Sequence, residues 1–196
     1  MKRLLLSGIL LLGFPAMAQE TWERVKQTSA VTVYTKNVPG SAYKAFKAVG
    51  IVHATPHRLL QILQDVSSYP QWFAYSHTVR LLHSTLNAMY VYMETDFPWP
   101  FRNKDMIYSL SVAENGGSEV TLVLDGKPDY IPAIEGIHRM HDANGYIVLQ
   151  PVEDDTIVTY VMNIEPGGDI PPWLANQYIH LMPLQTISNL IRIAER

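Results

Sequence analysis

Hydrophobic and polar residues follow two different periods along this chain, one typical of strands and one typical of helices. Residues 31–36 (VTVYTK) alternate and are β-branched, so they predict a strand, and 43–53 predicts a second one. The middle of the chain continues with seven more predicted strands, at 78–86, 88–97, 104–114, 119–126, 137–142, 145–152 and 156–165. Turn signals such as NGG at 115–117 separate them, which favours an antiparallel meander.

A short helix is predicted between the second strand and the meander. Thr55 can cap its first turn, and Pro56 lies where a missing N–H has no cost. The helix ends near Asp65, and 67–75 (SSYPQWFAY) follows as a turn with one aromatic-rich helical turn. Its buried face is apolar, consisting of Leu59, Leu60, Ile62 and Leu63.

The last part of the chain predicts one long helix. Asp169 can cap it, Pro171 and Pro172 lie in its first turn, and it runs to Arg196. About 25 residues at 1.5 Å each make a rod of roughly 37 Å, and Pro183 predicts a bend that can act as a hinge. Its apolar side chains recur at steps of three or four, namely Leu174, Tyr178, Leu181, Leu184, Ile187, Ile191 and Ala194.

This order of elements predicts an α+β fold in which a curved antiparallel sheet wraps around the long C-terminal helix. The chain is 47% hydrophobic and only 17% charged, and beyond its first residues it has no apolar run long enough to cross a membrane. Much apolar surface must therefore be buried or line an internal cavity.

The first eighteen residues have the layout of a secretory signal peptide. Lys2 and Arg3 precede an apolar run at 4–14, and Ala16 and Ala18 are small residues at cleavage-site positions. The alternative, an N-terminal membrane anchor, needs about 20 apolar residues. We therefore expect cleavage after residue 18, a single domain over 19–196, and export, with a periplasmic location as the expected destination.

Charge and cysteine content exclude several classes of function. Without Lys2 and Arg3 the chain carries 13 basic and 18 acidic residues, a formal charge of −5, which argues against a nucleic-acid partner. The absence of cysteine rules out a thiolate nucleophile and a Cys-ligated metal. No cofactor is expected, and the oligomeric state is left open.

Several motifs resemble those of the START (StAR-related lipid transfer) family, a branch of the helix-grip superfamily. They are Trp22-Glu23, VTVY at 31–34, YKAFKA at 43–48, Asp65 with YPQW at 69–72, PWPFRNKD at 98–105 and PWLAN at 172–176. START domains commonly have an Arg-Asp pair at the start of the next strand, whereas this chain has Lys104 before Asp105. The resemblance covers nearly all of residues 19–196.

The resemblance implies a non-catalytic protein that binds and carries a lipid or other hydrophobic molecule in a tunnel beneath the last helix. It also implies transient membrane contact and no cofactor. Two alternatives stay open, since helix-grip relatives include cyclases and other enzymes, and a coenzyme Q-binding branch includes quinone chaperones.

Two segments allow two interpretations each. In 98–105, Arg102 or Lys104 can orient a polar lipid head, or Lys104 and Asp105 simply fix the end of a strand, which we favour. In 88–97, Tyr92 and Glu94 alternate with Met89, Val91 and Met93, and either set can face the cavity, because a shift of one residue exchanges the faces.

The residues expected at the site fall into two groups. The first would line the cavity: Tyr92, Glu94, Arg102, Met140, Tyr160, Met162, Trp173, Tyr178, Leu181 and Met182. The second would form an entrance between the irregular segment 127–137 and the start of the last helix: Ile131, Ile134, Ile170 and Pro172. Flexible methionines suit an irregular apolar ligand, although core packing is the better explanation for any one of them.

Catalytic and metal sites have weak support in the sequence. The chain has seven histidines but no HExxH or G-x-S-x-G motif. Asp129, Glu135, His138 and His141 lie close together in sequence and can support acid–base chemistry, but a solvated loop beside a strand is the simpler interpretation. We therefore predict no catalytic residues and no metal site.

Overall fold

A computed structural model describes residues 21–113, 117–167 and 169–196. The predicted signal peptide at 1–18 and most of the predicted NGG turn lie outside these residues. Within them the chain forms ten strands and four α-helices. The strands are β1 (Glu23–Gln27), β2 (Val31–Lys36), β3 (Ala45–Val52), β4 (Ser76–Ser84), β5 (Ala88–Thr95), β6 (Lys104–Ala113), β7 (Val120–Gly126), β8 (His138–Arg139), β9 (Ala143–Val152) and β10 (Asp155–Ile164).

The helices are short at the start of the chain and longer at its end. They are α1 (Pro56–Gln64), α2 (Tyr69–Trp72), α3 (Pro172–Tyr178) and α4 (Leu181–Ala194), and a 3₁₀ turn (Val66–Ser68) joins the first two. As predicted, the Thr55 hydroxyl caps α1 by accepting a hydrogen bond from the Arg58 N–H at 3.2 Å. The apolar face of α1 is buried as the sequence predicts.

One sheet contains all ten strands. Its order is β1-β2-β3-β10-β9-β7-β6-β5-β4, and the two-residue β8 pairs with β6 outside this path. All pairs along the path are antiparallel, and only β8 pairs in parallel among the described strands. The predicted curved antiparallel sheet around a C-terminal helix, an α+β helix-grip fold, is confirmed.

Helix α4 packs against the concave face of the sheet at β3. Gly50 makes this close approach possible, because a Cβ at that position would lie 2.8 Å from the Ile187 Cγ2 atom. Ile187 and Leu190 of α4 are almost fully buried in the same apolar cluster as Val33 and Ala48 of the sheet. Burial of α4, at about 25 cal/mol per Å² of apolar surface, therefore holds the two layers together.

The last helical segment differs from the prediction of one rod bent at Pro183. The chain breaks between Tyr178 and Leu181, so α3 and α4 are separate helices. Pro183 lies in the first turn of α4, where a backbone N–H needs no partner within the helix, so it does not bend α4. Asp169 does not cap α3, because that helix begins after Pro171 without a side-chain cap.

Two further differences concern strands. The sequence analysis did not predict β1, whose five residues are all exposed and show no alternation. The strand predicted at 137–142 is reduced to the two residues of β8, because the Arg139 side chain there bonds the preceding loop.

Candidate functional site

A small cavity lies between the concave face of the sheet and the helices. Its volume is about 20 Å³, room for one water-sized molecule. Strands β6, β7, β9 and β10 form one wall and helices α1, α2 and α4 form the other. The lining is apolar apart from four hydroxyl groups, and it consists of Leu63, Tyr69, Trp72, Phe73, Tyr108, Leu110, Leu124, Ile147, Val158, Tyr160, Thr186, Ile187 and Leu190.

Three of the four hydroxyl groups belong to buried tyrosines. Tyr69 donates to the Leu63 carbonyl oxygen at 2.6 Å and is hydrogen-bonded to Tyr108. The Tyr160 hydroxyl has no hydrogen-bond partner among the described residues, although the residue is only 1% exposed. Burial raises the pKa of all three phenols above 10, so they stay protonated at neutral pH and act as neutral hydrogen-bonding groups.

The fourth hydroxyl group, that of Thr186 on α4, is already engaged. It accepts a hydrogen bond from the Ala74 N–H at 3.1 Å and contacts the Met182 sulfur at 3.6 Å. Thr186 therefore fixes α4 to the end of α2 and leaves Tyr160 as the lining residue with free hydrogen-bonding capacity.

An aromatic wall on α2 closes one side of the cavity. The Tyr69 and Trp72 rings meet edge to face with their centroids 4.8 Å apart, and Phe73 stacks beside them. The Trp72 indole N–H donates to the Ser68 hydroxyl at 3.1 Å, and Asn189 of α4 donates to the Trp72 carbonyl at 3.3 Å. These bonds hold the aromatic wall against α4.

Strand β5 faces the concave side with its apolar set. Val91 pairs with Tyr108, and both belong to the apolar cluster that surrounds the cavity. Tyr92 and Glu94 alternate with that set, so the structure places them on the opposite, convex side and does not bring them to the cavity. The alternation along β5 leaves open which set of residues faces the cavity. The register with β6 shows that the apolar set does.

The convex side has a buried polar layer of its own. Arg80 lies over the Tyr92 ring at 4.5 Å, and Glu94 accepts a hydrogen bond from the Asn103 amide at 2.8 Å. Burial, followed by the nearby Asp105 and Glu94 carboxylates, raises the pKa of Tyr92 to about 12. Tyr92 and Glu94 therefore support the sheet rather than line the cavity.

The remaining residues predicted for the cavity are scattered. Tyr160 lines it, and Met162 lies two positions further along β10 on the same face, fully buried. Met140 is buried in the apolar cluster, and Met182 is partly buried against it. The structure leaves four others on the surface and does not bring them to the cavity, because they lie on loops and on the outer side of α3 and α4: Arg102, Trp173, Tyr178 and Leu181.

A buried ion pair shapes the segment 127–137. Arg139 binds both carboxylate oxygens of Asp105, at 2.7 and 3.0 Å. The same guanidinium donates to the carbonyls of Pro128, Ile131 and Pro132. Periodicity gives no signal for Arg139, although a carboxylate at the buried start of a strand signals the need for a cationic partner.

Beside this pair lies a second, more open pocket of about 260 Å³. The predicted entrance residue Ile131 is part of its wall, together with Pro128, Asp129, Pro132, Ala133, Arg139 and His141. Ile134 is partly buried in the same segment. Arg139 in this wall is already engaged in hydrogen bonds to Asp105 and to the Pro128 carbonyl.

Lys104 holds the segment that leads into α3. Its side chain is fully buried and forms an ion pair with Asp169, which is 43% exposed. The hydrogen bond from Lys104 lowers the pKa of the Asp169 carboxyl below its ordinary value of 3.8, and the Arg102 backbone N–H adds to this. Between the two interpretations of 98–105, the geometry thus favours the structural one for Lys104.

A set of hydrogen bonds, which we call the α3 clasp, ties α3 and its leading segment to residues 41–44. Ser41 is bonded to Glu165, and the Tyr43 hydroxyl donates to the Ile170 carbonyl at 3.0 Å. Asn176 of α3 accepts from the Lys44 N–H at 2.9 Å and donates to the Ala42 carbonyl at 3.0 Å. The predicted entrance residue Ile170 is buried beneath this clasp, and Pro172 begins α3.

The described residues contain no group of three or more side chains that is arranged to hold a metal ion. No described helix has the length and apolar character needed to cross a membrane.

Comparison with known proteins connects this geometry to a family. A family model described as START domain matches residues 14–193. A protein from Pseudomonas aeruginosa designated uncharacterized is 32% identical over 178 residues, covering 90% of this chain and 88% of that protein. Mouse phosphatidylcholine transfer protein is 22% identical, covering 83% of this chain and 78% of that protein.

Solved structures give the same result. A STAR-related lipid transfer protein from Xanthomonas axonopodis superimposes with a TM-score of 0.84 at 31% identity, covering 89% of this chain and 99% of that one. The Zhui aromatase/cyclase from Streptomyces has a TM-score of 0.55 at 13% identity, covering 78% of this chain and 93% of that one, which is a likeness of fold alone.

Proposed function

This chain belongs to the START domain family, and from that premise we propose that it binds one lipid or other hydrophobic molecule between the sheet and α4 and carries it. The observation that carries the proposal is the apolar cavity beneath α4, in which the Tyr160 hydroxyl is the lining group without a hydrogen-bond partner among the described residues. Similarity to proteins named for lipid transfer supports the same ligand class.

Ligand entry requires the cavity to widen. A volume of about 20 Å³ is far smaller than any lipid, so lining side chains or α4 must move before a ligand fits. Apolar burial at about 25 cal/mol per Å² offsets the cost of that movement.

We infer that the cavity opens beside α3. The α3 clasp depends on a few hydrogen bonds at the surface, whereas α4 is held by apolar burial, so α3 is the cheaper element to release. The exposed Trp173 on α3 and the entrance residues Ile131, Ile134, Ile170 and Pro172 would then meet the membrane transiently, since tryptophan favours a water–lipid interface.

The predicted signal peptide supports a location outside the cytoplasm, which we propose to be the periplasm. Fractionation of cells that express the full chain tests this placement. Retention in the cytoplasm, with the first 18 residues uncleaved, would contradict it.

Binding without catalysis is the function that the lining residues support. The lining contains no carboxylate, histidine or lysine, and its tyrosines have pKa values above 10, so none is a general base at neutral pH. The catalytic alternative rests on a likeness of fold to the Zhui aromatase/cyclase alone. A quinone is a hydrophobic ligand that the same cavity would accept.

Lipid transfer between vesicles tests carriage and the entrance together. We expect the wild-type chain to transfer a labelled lipid, and the combined change Trp173→Ala with Ile134→Asp to slow transfer several-fold by weakening membrane contact. Tyr146→Ala, an exposed position on the convex side of β9, serves as the control and should transfer normally. Equal rates for all three proteins would refute the entrance, and no transfer by any of them would refute carriage.

A further inference from the structure

Tyr160 lines the apolar cavity, and its buried hydroxyl has no hydrogen-bond partner among the described residues. Tyr160 lies on β10 next to Ala48 of β3 and Ile147 of β9, so apolar residues surround the ring on both neighbouring strands. A buried phenol without a hydrogen bond costs about 1 to 3 kcal/mol, as judged from protein variants. Phenylalanine would fill the same space without that cost, so packing alone does not explain the hydroxyl group of Tyr160.

Each other polar group of the lining has a partner of its own. Tyr108 is hydrogen-bonded to Tyr69, Tyr69 donates to the Leu63 carbonyl, and Thr186 accepts from the Ala74 N–H. Tyr160 lines the same cavity as this bonded pair, and its hydroxyl is the lining group without a hydrogen-bond partner among the described residues.

The lining carries no ionised group at neutral pH. The side chains that surround the cavity are apolar or are tyrosine and threonine hydroxyls. Two ion pairs have buried members, namely Asp105 with Arg139 and Lys104 with Asp169. In each pair the two charges already neutralise one another. A phosphate or carboxylate brought inside would have no counter-charge, and an unpaired buried charge is far more costly than a neutral polar group.

Resting on the proposed function, we propose that the ligand is a neutral lipid with one uncharged hydroxyl or carbonyl group, which is bonded to Tyr160 in the cavity. The apolar body of the ligand occupies the widened space along Leu124, Ile147 and Val158. A phospholipid whose charged head enters the cavity is excluded by the same lining. Alcohols and ketones share the required chemistry, because the phenol both donates and accepts.

Displacement of the neutral fluorophore N-phenylnaphthylamine by ligands of matched chain length tests this assignment. Decanol, decanoate and decane differ only in the polar group, and didecanoyl phosphatidylcholine adds a charged head. We expect the wild type to bind decanol roughly tenfold more tightly than Tyr160→Phe binds it, because one hydrogen bond is worth about that factor. Decanoate and the phospholipid should bind more weakly than decanol.

Tyr160→Phe removes the oxygen alone and should weaken decanol binding without weakening decane binding. Tyr146→Phe, on the convex side of the adjacent strand, is the matched control and should bind like the wild type. Thermal unfolding should show that Tyr160→Phe is at least as stable as the wild type, because the lost hydroxyl had no partner. This readout separates a ligand group from a structural one.

Three results would overturn the assignment. Tighter binding of decanoate or the phospholipid would show a charged ligand and leave lipid binding intact. An unchanged ratio of decanol to decane in Tyr160→Phe would remove Tyr160 from the site. Failure of every ligand to bind, together with absence of any co-purified lipid, would refute the proposed function itself.

Discussion

Single side chains decide how firmly the segment before α3 is held. Lys104 is fully buried, so its ammonium group loses contact with water. The carboxylate of its partner Asp169 compensates for that loss. Breaking a fully buried pair costs about 3 to 5 kcal/mol, but Asp169 is 43% exposed and the screened value is smaller.

We expect Asp169→Asn to lower the free energy of unfolding by about 1 to 2 kcal/mol, since the amide keeps an oxygen acceptor but loses the charge. Denaturant unfolding at neutral pH measures this. Asp154→Asn, on the exposed turn between β9 and β10, is the control and should change stability by less than about 0.5 kcal/mol. Equal stability of the two variants would show that Lys104 does not depend on Asp169.

The same pair predicts a pH dependence. The pKa of Asp169 is lower in the folded protein than its ordinary value of 3.8, so the pair stabilises the fold fully above that value. The contribution is lost as pH falls below 3.8 towards the lower folded pKa. We therefore expect the wild type to lose more stability than Asp169→Asn when the pH falls from about 5 to about 3, the range in which carboxyl groups titrate. Thermal unfolding measures this difference. Parallel curves for the two proteins would contradict this.

Residue-level signals also explain which parts of the site the sequence predicts. Tyr160 and Met162 lie on the concave face because alternation along β10 puts them there. Tyr92 and Glu94 alternate equally well, and only the pairing of Val91 with Tyr108 shows that they face outward. Arg139 and the bonded pair of Tyr69 and Tyr108 depend on contacts between distant segments, which periodicity does not contain.

At the scale of elements, α3 and α4 are held by different forces. Helix α4 buries Ile187 and Leu190 in the apolar cluster, whereas α3 has no fully buried residue and depends on the clasp. A single predicted rod becomes two helices because the break at 179–180 separates these two packing environments. Opening of α3 alone would expose little apolar core.

Asn176→Ala should loosen the clasp. The change removes one hydrogen bond to Lys44 and one to Ala42 at a partly exposed site, which is worth about 1 kcal/mol in total. We expect release of bound lipid to vesicles to become roughly fivefold faster, with little change in global stability. The neighbouring exposed Gln177→Ala is the control and should release lipid at the wild-type rate. Equal rates for both variants would show that α3 does not limit release.

At the scale of the whole molecule, the sequence predicts the architecture well because its local signals all favour the same fold. Alternating strands, the Thr55 cap on α1 and the apolar period of the last helix all favour one sheet around one helix. Strand β10, the last in the chain, pairs with β3, which lies near its start. This pairing completes the concave wall of the sheet. Only that non-local pairing encloses Tyr160 and Ile147 beneath α4.

The most direct test of the central claim is native mass spectrometry of the protein with a filled cavity beside the wild type. Ile147→Phe adds volume to the lining at a position that is 7% exposed, and circular dichroism establishes that the variant is folded. After incubation with vesicles that contain dioleoylglycerol in phosphatidylglycerol, the wild type should carry one neutral lipid per chain and Ile147→Phe none. A folded Ile147→Phe that keeps a stoichiometric lipid, or a wild type that stays empty, would contradict a ligand held between the sheet and α4.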